Sequence, residues 1–125
     1  MEFLSEARDA MRVEKRGEGE FTVYLTLHEN MTPFEGHFPD FKILPGVGQI
    51  SLVSCAVRKI FGDTLLLHSS GRVKFTNPAL PGAQLEINIK VASCQDGKLY
   101  IQAVITSQDK QISSMRLGFE GAHDL

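Results

Sequence analysis

The chain has little of what marks the specialised protein classes. Two cysteines in 125 residues, Cys55 and Cys94, build no disulfide framework and no CxxC metal motif, so a reducing compartment is expected, the cytoplasm. Neither sign of charge dominates: 13 Lys and Arg against 15 Asp and Glu leave a net charge of -2. That balance offers no footprint for nucleic acid or an anionic membrane. His28, His68 and His123 share no metal-ligand spacing, so no metal site is expected. There is no internal repeat, linker or low-complexity segment. No apolar run is long enough for a membrane span. The N-terminus carries Glu2, Glu6 and Asp9 without the apolar stretch of a secretory leader. What is left is one domain of ordinary composition, 42% hydrophobic and 22% charged, long enough to bury a real core.

What is there is organised around Glu35 to Gly62, EGHFPDFKILPGVGQISLVSCAVRKIFG. A rigid turn, Gly36-His37-Phe38-Pro39, precedes a short apolar link and then Pro45-Gly46, which opens a helix. Pro45 suits the first helical position, where a missing N–H costs nothing. Val47 to Phe61 forms the helix, about 22 Å long at 1.5 Å per residue. Gly62 suits its C-terminal stop, and Arg58 and Lys59 complement the dipole in the last turn. Between Ile50 and Val57 no residue is charged and apolar residues fall on every side, the pattern of a buried helix. Its N-terminus offers free backbone N–H groups to an oxygen gaining negative charge. Gly46 and Gly48 there let a substrate approach the backbone.

The remainder reads as strands. Residues 2–9 make one helical turn or a loose arm, and Met11 to Lys15 a strand. Glu20 to His28 alternates, with Phe21, Val23, Leu25 and Leu27 on one face. Leu65 to His68 is a short apolar run and Gly71 to Thr76 alternates, and about four strands follow the helix in all. Gln84 to Ser93, Lys98 to Ser107 and Gln111 to Phe119 alternate cleanly, the first two joined by an Asp96-Gly97 hairpin turn and the last two by Asp109-Lys110. Short connections make the sheet largely antiparallel, and one long buried helix on one curved antiparallel sheet is an α+β arrangement. The exposed sheet edges favour a homodimer.

Two blocks carry a resemblance: Gly36-His37-Phe38-Pro39 with Ile43-Leu44-Pro45-Gly46-Val47, and Arg72-Val73-Lys74-Phe75-Thr76-Asn77-Pro78 with Pro81-Gly82. They resemble the hotdog-fold 3-hydroxyacyl-acyl-carrier-protein dehydratases (FabA/FabZ-like), in particular the short ApeI-like members of aryl-polyene-type gene clusters, which also carry a glutamine where Gln49 stands. The resemblance implies a hotdog fold, an acyl chain in a tunnel beside the helix at a dimer interface, and a carrier-protein or coenzyme A thioester of a 3-hydroxy acid as substrate. It implies no cofactor. His37 takes the place of the catalytic base, the Gly46 N–H that of the thioester-oxygen donor, and Phe38, Val47 and Gln49 line the substrate site. In the family a helix carboxylate lies fourteen residues after the histidine; here that residue is Ser51. A serine is no general acid near neutral pH, so Glu35, Asp40 or a water held by Gln49 and Ser51 would have to substitute. Alternatively, the chain is a non-catalytic acyl-thioester-binding subunit or a thioesterase. Read from the residues alone, Gln49 serves either substrate or a backbone group, Cys55 either core or pocket. Arg58, Lys59, Arg72 and Lys74 are either a basic rim for a carrier or solvated charge.

Overall fold

A computed structural model of the protein describes residues 2–28 and 44–121, with side chains from residue 4 onward. In chain order the elements are α1 (Glu2–Ala10), β1 (Arg12–Gly17), β2 (Glu20–Thr26), α2 (Gly46–Phe61), β3 (Leu66–Phe75), β4 (Gln84–Gln95), β5 (Lys98–Ser107) and β6 (Lys110–Glu120). The strands form one six-stranded sheet in the order β1-β2-β4-β5-β6-β3. Every pairing is antiparallel.

The inward slots of the alternating strands supply one wall of the core: Val23 and Leu25 from β2, Leu85, Ile87 and Ile89 from β4, Leu99, Ile101, Ala103 and Ile105 from β5, Met115, Leu117 and Phe119 from β6. Helix α2 supplies the other, with Leu52, Val53, Ala56 and Val57 fully buried. Each buried Leu or Val contributes about 1.5–3 kcal/mol relative to exposure, which is why an uncharged helix is held here. The expectation of burial on every side holds for the middle of α2. Its first turn differs, with Val47 72% exposed. Phe21 is half-buried and meets the Phe61 ring edge-on, centroids 5.3 Å apart.

Three boundaries differ from the sequence reading. Pro45 lies outside the helix, with φ -64° and ψ 160°. Its fixed φ suits helix and extended backbone alike, and ψ decides; its carbonyl accepts the first helical bond, from the Gln49 N–H at 3.0 Å. The apolar run from Leu65 and the alternating segment from Gly71 join in one strand, β3. It stays paired with β6 through the intervening Ser69-Ser70, taking up the irregularity as register shifts between Leu67 and Ser69 and between Gly71 and Lys74, with Arg72 at φ 48°. The last hairpin turns at Gln108-Asp109, both in the left-handed region, one residue earlier than Asp109-Lys110. At Asp96-Gly97 the expected turn has positive φ at both positions.

The N-terminal arm forms a nine-residue helix, α1. Nine residues are too few for a stable helix in isolation, so the stabilisation is tertiary. Lys59 on α2 donates from Nζ to the carbonyls of Arg8 (2.6 Å) and Met11 (3.0 Å), capping the end of α1. Ala7 and Met11 are buried against the core. Arg8 pairs with Asp63 beyond the end of α2 at 2.5 Å, and the Arg8 hydrogen bond and charge hold the Asp63 carboxyl below its ordinary range. That pair is solvent-exposed and secondary. A folded-state carboxyl pKa below the unfolded value stabilises at neutral pH and loses that contribution as pH falls into the acid range.

Replacing Lys59 by Met keeps the apolar stem and removes both charge-assisted hydrogen bonds. Urea unfolding of Lys59→Met is expected to show a loss of about 1.5–3 kcal/mol with an unchanged slope; an unchanged midpoint would mean that α1 is held without this cap.

Candidate functional site

The start of α2 is where the fold leaves polar groups without partners. Leu44 is fully buried, and its N–H bonds the Ala79 carbonyl at 2.8 Å. This bridge fixes the residue before Pro45 against the segment that follows β3. The first intrahelical bond is that of Gln49, so the amides of Gly46, Val47 and Gly48 have no helical acceptor. No acidic side chain sits in this first turn. Three adjacent donors without an acceptor among the described residues, at the positive end of a sixteen-residue helix, make a place for an oxygen that gains negative charge.

The two glycines are bare for a reason the sequence did not show. A Cβ on Gly46 would come within 2.6 Å of the Phe75 ring, and one on Gly48 within 2.9 Å of Leu44 Cδ1. The space that the sequence reading assigned to a substrate is taken, at these two Cα atoms, by the protein's own side chains. Phe75 is 49% exposed, so its ring lies over the helix start with one face in solvent.

The proposed site residues divide as follows. Gly46, Val47, Gln49 and Ser51 come together on the first turn and a half of α2. Val47 points outward, Ser51 is half-buried, and Gln49 is 3% exposed. The Gln49 Nε2 donates to the Leu44 carbonyl at 3.4 Å, and Oε1 has no partner among the described residues. His37 and Phe38 lie outside the described residues, as do Glu35, Asp40 and Phe41. Cys55 is core, its Sγ 3.7 Å from the Leu4 carbonyl. Burial pushes its thiol pKa up. Lys59 is committed to α1 and leaves the basic rim; Arg72 and Lys74 stand exposed on β3.

Sequence reasoning missed Ser113. It occupies an inward slot of β6 in line with Met115, Leu117 and Phe119, is fully buried, and its Oγ has no partner among the described residues. The available signal was a serine in a slot where the rest of the strand is apolar. Ser113 pairs in register with Phe75, so it belongs to the same end of the core. A groove of about 560 Å³, lined by Ser69, Tyr100, Gln102 and Arg116 among others, is separate. Tyr100 and Gln102 alternate with the buried Leu99 and Ile101, so this groove opens on the face of the sheet away from α2.

A long helix buried on a six-stranded antiparallel sheet, with its N-terminus at one end, defines a hotdog fold. The model of the ApeI-like family, described as ApeI dehydratase, matches residues 13–116, and the chain belongs to that family. A 3-hydroxyacyl-[acyl-carrier-protein] dehydratase FabZ of Oleidesulfovibrio alaskensis is 26% identical over 97 residues, covering 66% of this chain and 63% of the relative. The match thus spans less than two thirds of that relative's length. Among solved structures, the dehydratase heterocomplex ApeI:P from Xenorhabdus doucetiae contains a chain that superposes with a TM-score of 0.72 at 26% identity, over 87% of this chain and 94% of that one. A hypothetical thioesterase from Streptococcus pneumoniae, crystallised with coenzyme A, also reaches 0.72, over 94% and 92%, at 13% identity, a likeness of fold alone. No helix among the described residues is long and apolar enough to cross a membrane.

The two thiols are expected to differ in reactivity. Cys94 is half-buried on β4 and should react with a water-soluble disulfide reagent in the native protein, whereas Cys55 should react only as the protein unfolds. Rapid native labelling of both would show that the α1–α2 layer opens readily.

Proposed function

We propose that the chain acts on 3-hydroxyacyl thioesters, borne by an acyl carrier protein or coenzyme A, as a dehydratase of fatty acid or polyene-type lipid synthesis. The observation that carries this reading is the start of α2: free amides of Gly46, Val47 and Gly48, no acid in the turn, in a chain of the ApeI-like family. On this reading the reaction is loss of water across C2 and C3 of the acyl chain. His37 takes the C2 proton, and the electron pair moves toward the thioester carbonyl. Its oxygen is held by the Gly46 N–H, whose donors need no reorganisation as charge develops. The C3–O bond breaks, the C2–C3 double bond forms, and the hydroxyl leaves as water, taking through a water held by Gln49 and Ser51 the proton that His37 removed from C2. Phe38, Val47 and Gln49 bound the acyl chain and its arm.

Two copies are proposed to pair through β3. The opposite edge, β1, is closed to pairing by charge: Arg12, Glu14 and Arg16 form ion pairs over Tyr24, with the Arg12 guanidinium 4.2 Å above the ring. Edge strand β3 instead exposes Leu66, Leu67 and Phe75, with Val47 beside the Phe75 end.

Ser51 favours a second reading. Helix α2 contains no carboxylate at all, so nothing on it can protonate the leaving hydroxyl. The chain would then be a non-catalytic acyl-binding subunit that pairs with an active one, and the named heterocomplex of its relative ApeI:P supports such an arrangement.

Hydration and dehydration of crotonyl- and longer enoyl-pantetheine thioesters by wild type, His37→Ala and Ser51→Glu separates the two. The dehydratase reading expects wild-type turnover that falls by about 10²–10⁴ in His37→Ala. A silent wild type with activity in Ser51→Glu would instead establish the subunit reading.

A further inference from the structure

Among the described residues four polar side chains are buried: Thr22, Gln49, Ser54 and Ser113. Two are satisfied within the chain. The Thr22 hydroxyl donates to the Asn88 Oδ1 at 2.9 Å, and the Ser54 hydroxyl to the Ile50 carbonyl at 2.9 Å. The other two, Gln49 Oε1 and Ser113 Oγ, have no partner. An unsatisfied buried polar group costs about 1–3 kcal/mol, and this core carries both at one end. Ser113 is the register partner of Phe75, whose ring lies on Gly46, one turn before Gln49.

Chemistry fixes which way the Gln49 carboxamide faces. The Leu44 carbonyl can only accept, so the nitrogen is turned to it and the oxygen away from it. Oε1 is therefore a buried acceptor awaiting a donor that the described residues do not supply. Ser113 Oγ can donate or accept. On the acyl-thioester reading, the bound acyl chain runs beside α2 and brings one such group with it, the 3-hydroxyl.

We infer that Gln49 reads the 3-hydroxyl of the bound acyl thioester, accepting its hydrogen bond at Oε1, with Ser113 as the second polar contact at that end of the core. The assignment rests on the acyl-thioester reading above. It makes Gln49 a specificity-determining residue: 3-hydroxyacyl groups satisfy the buried acceptor, and saturated ones leave it unpaired. Because α2 lacks a carboxylate, Gln49 supplies orientation of the hydroxyl and no proton.

The test compares amide-linked analogues of 3-hydroxyoctanoyl- and octanoyl-pantetheine, whose C2 protons are too weakly acidic for elimination. Calorimetric binding to the wild-type protein is expected to favour the hydroxy analogue about 10-fold or more. In Gln49→Leu that preference should vanish while the affinity for octanoyl-pantetheine stays, and the melting temperature should rise, because an unpaired buried acceptor is gone. Gln49→Met serves if the leucine variant does not fold, and Ser113→Ala should lose part of the preference. Equal wild-type affinity for the two analogues, or a preference that survives in the Gln49 variants, would overturn the inference and leave the acyl-thioester reading standing. So would an equal weakening of both analogues, which would assign Oε1 to the pantetheine arm. A lower melting temperature with the preference intact would mean that the acceptor is satisfied by interior water. Binding of neither analogue would overturn the acyl-thioester reading itself, and this inference with it.

Discussion

A single helix with apolar residues on all sides must be covered on all sides, and that requirement arranges the rest of this protein. The sheet covers α2 along one side with the inward slots of four strands. Helix α1 covers another, tied down by Lys59, whose ammonium satisfies the carbonyls that α1 leaves free at its end. At the first turn Val47 is largely exposed and Phe75, from the edge strand β3, covers Gly46. The cover is incomplete where the helix dipole and the free amides are, so exposure and chemistry coincide.

The same division appears in how polar groups are treated. Away from the helix start, the buried Thr22 and Ser54 hydroxyls are paired within the chain, and the outer face near β1 is laced with ion pairs. The Glu14 carboxyl there is held below its ordinary range, chiefly by its hydrogen bond from Arg12. At the helix start the donors of three amides and the acceptor of Gln49 are open. Protein interiors tolerate such groups where a ligand completes them. The sheet edges divide likewise: β1 is regular through its charged face until it shifts register at its end, while β3 is irregular and exposes large apolar side chains.

Much of this was legible in the sequence because it follows from local periodicity. Alternation in β4, β5 and β6 gave their inward residues correctly, since side chains of a strand change face at every residue. The uncharged run from Ile50 to Val57 identified the buried helix, and Gly62 its end, because at φ 137° a side chain would be strained. Where local signals allow two outcomes the reading failed. Ser69-Ser70-Gly71 has the composition of a turn, and only pairing with β6 keeps it in a strand. Pro45 fits inside or just outside a helix. Residues 2–9 lack the length to be a helix alone and become one only against Lys59 and the core.

The candidate site divides along the same line. Position in the chain placed Gly46, Val47, Gln49 and Ser51 together, because one and a half helical turns cannot separate them, and the absence of a carboxylate from α2 is a property of the sequence alone. Which of these face inward is another matter. That the Gln49 acceptor is buried without a partner among the described residues, that Ser113 on β6 is buried likewise in register with Phe75, and that Phe75 fills the space beside Gly46 were decided only when sheet and helix packed. Those facts depend on side chains distant in sequence meeting in one interior, and no local pattern encodes such a meeting.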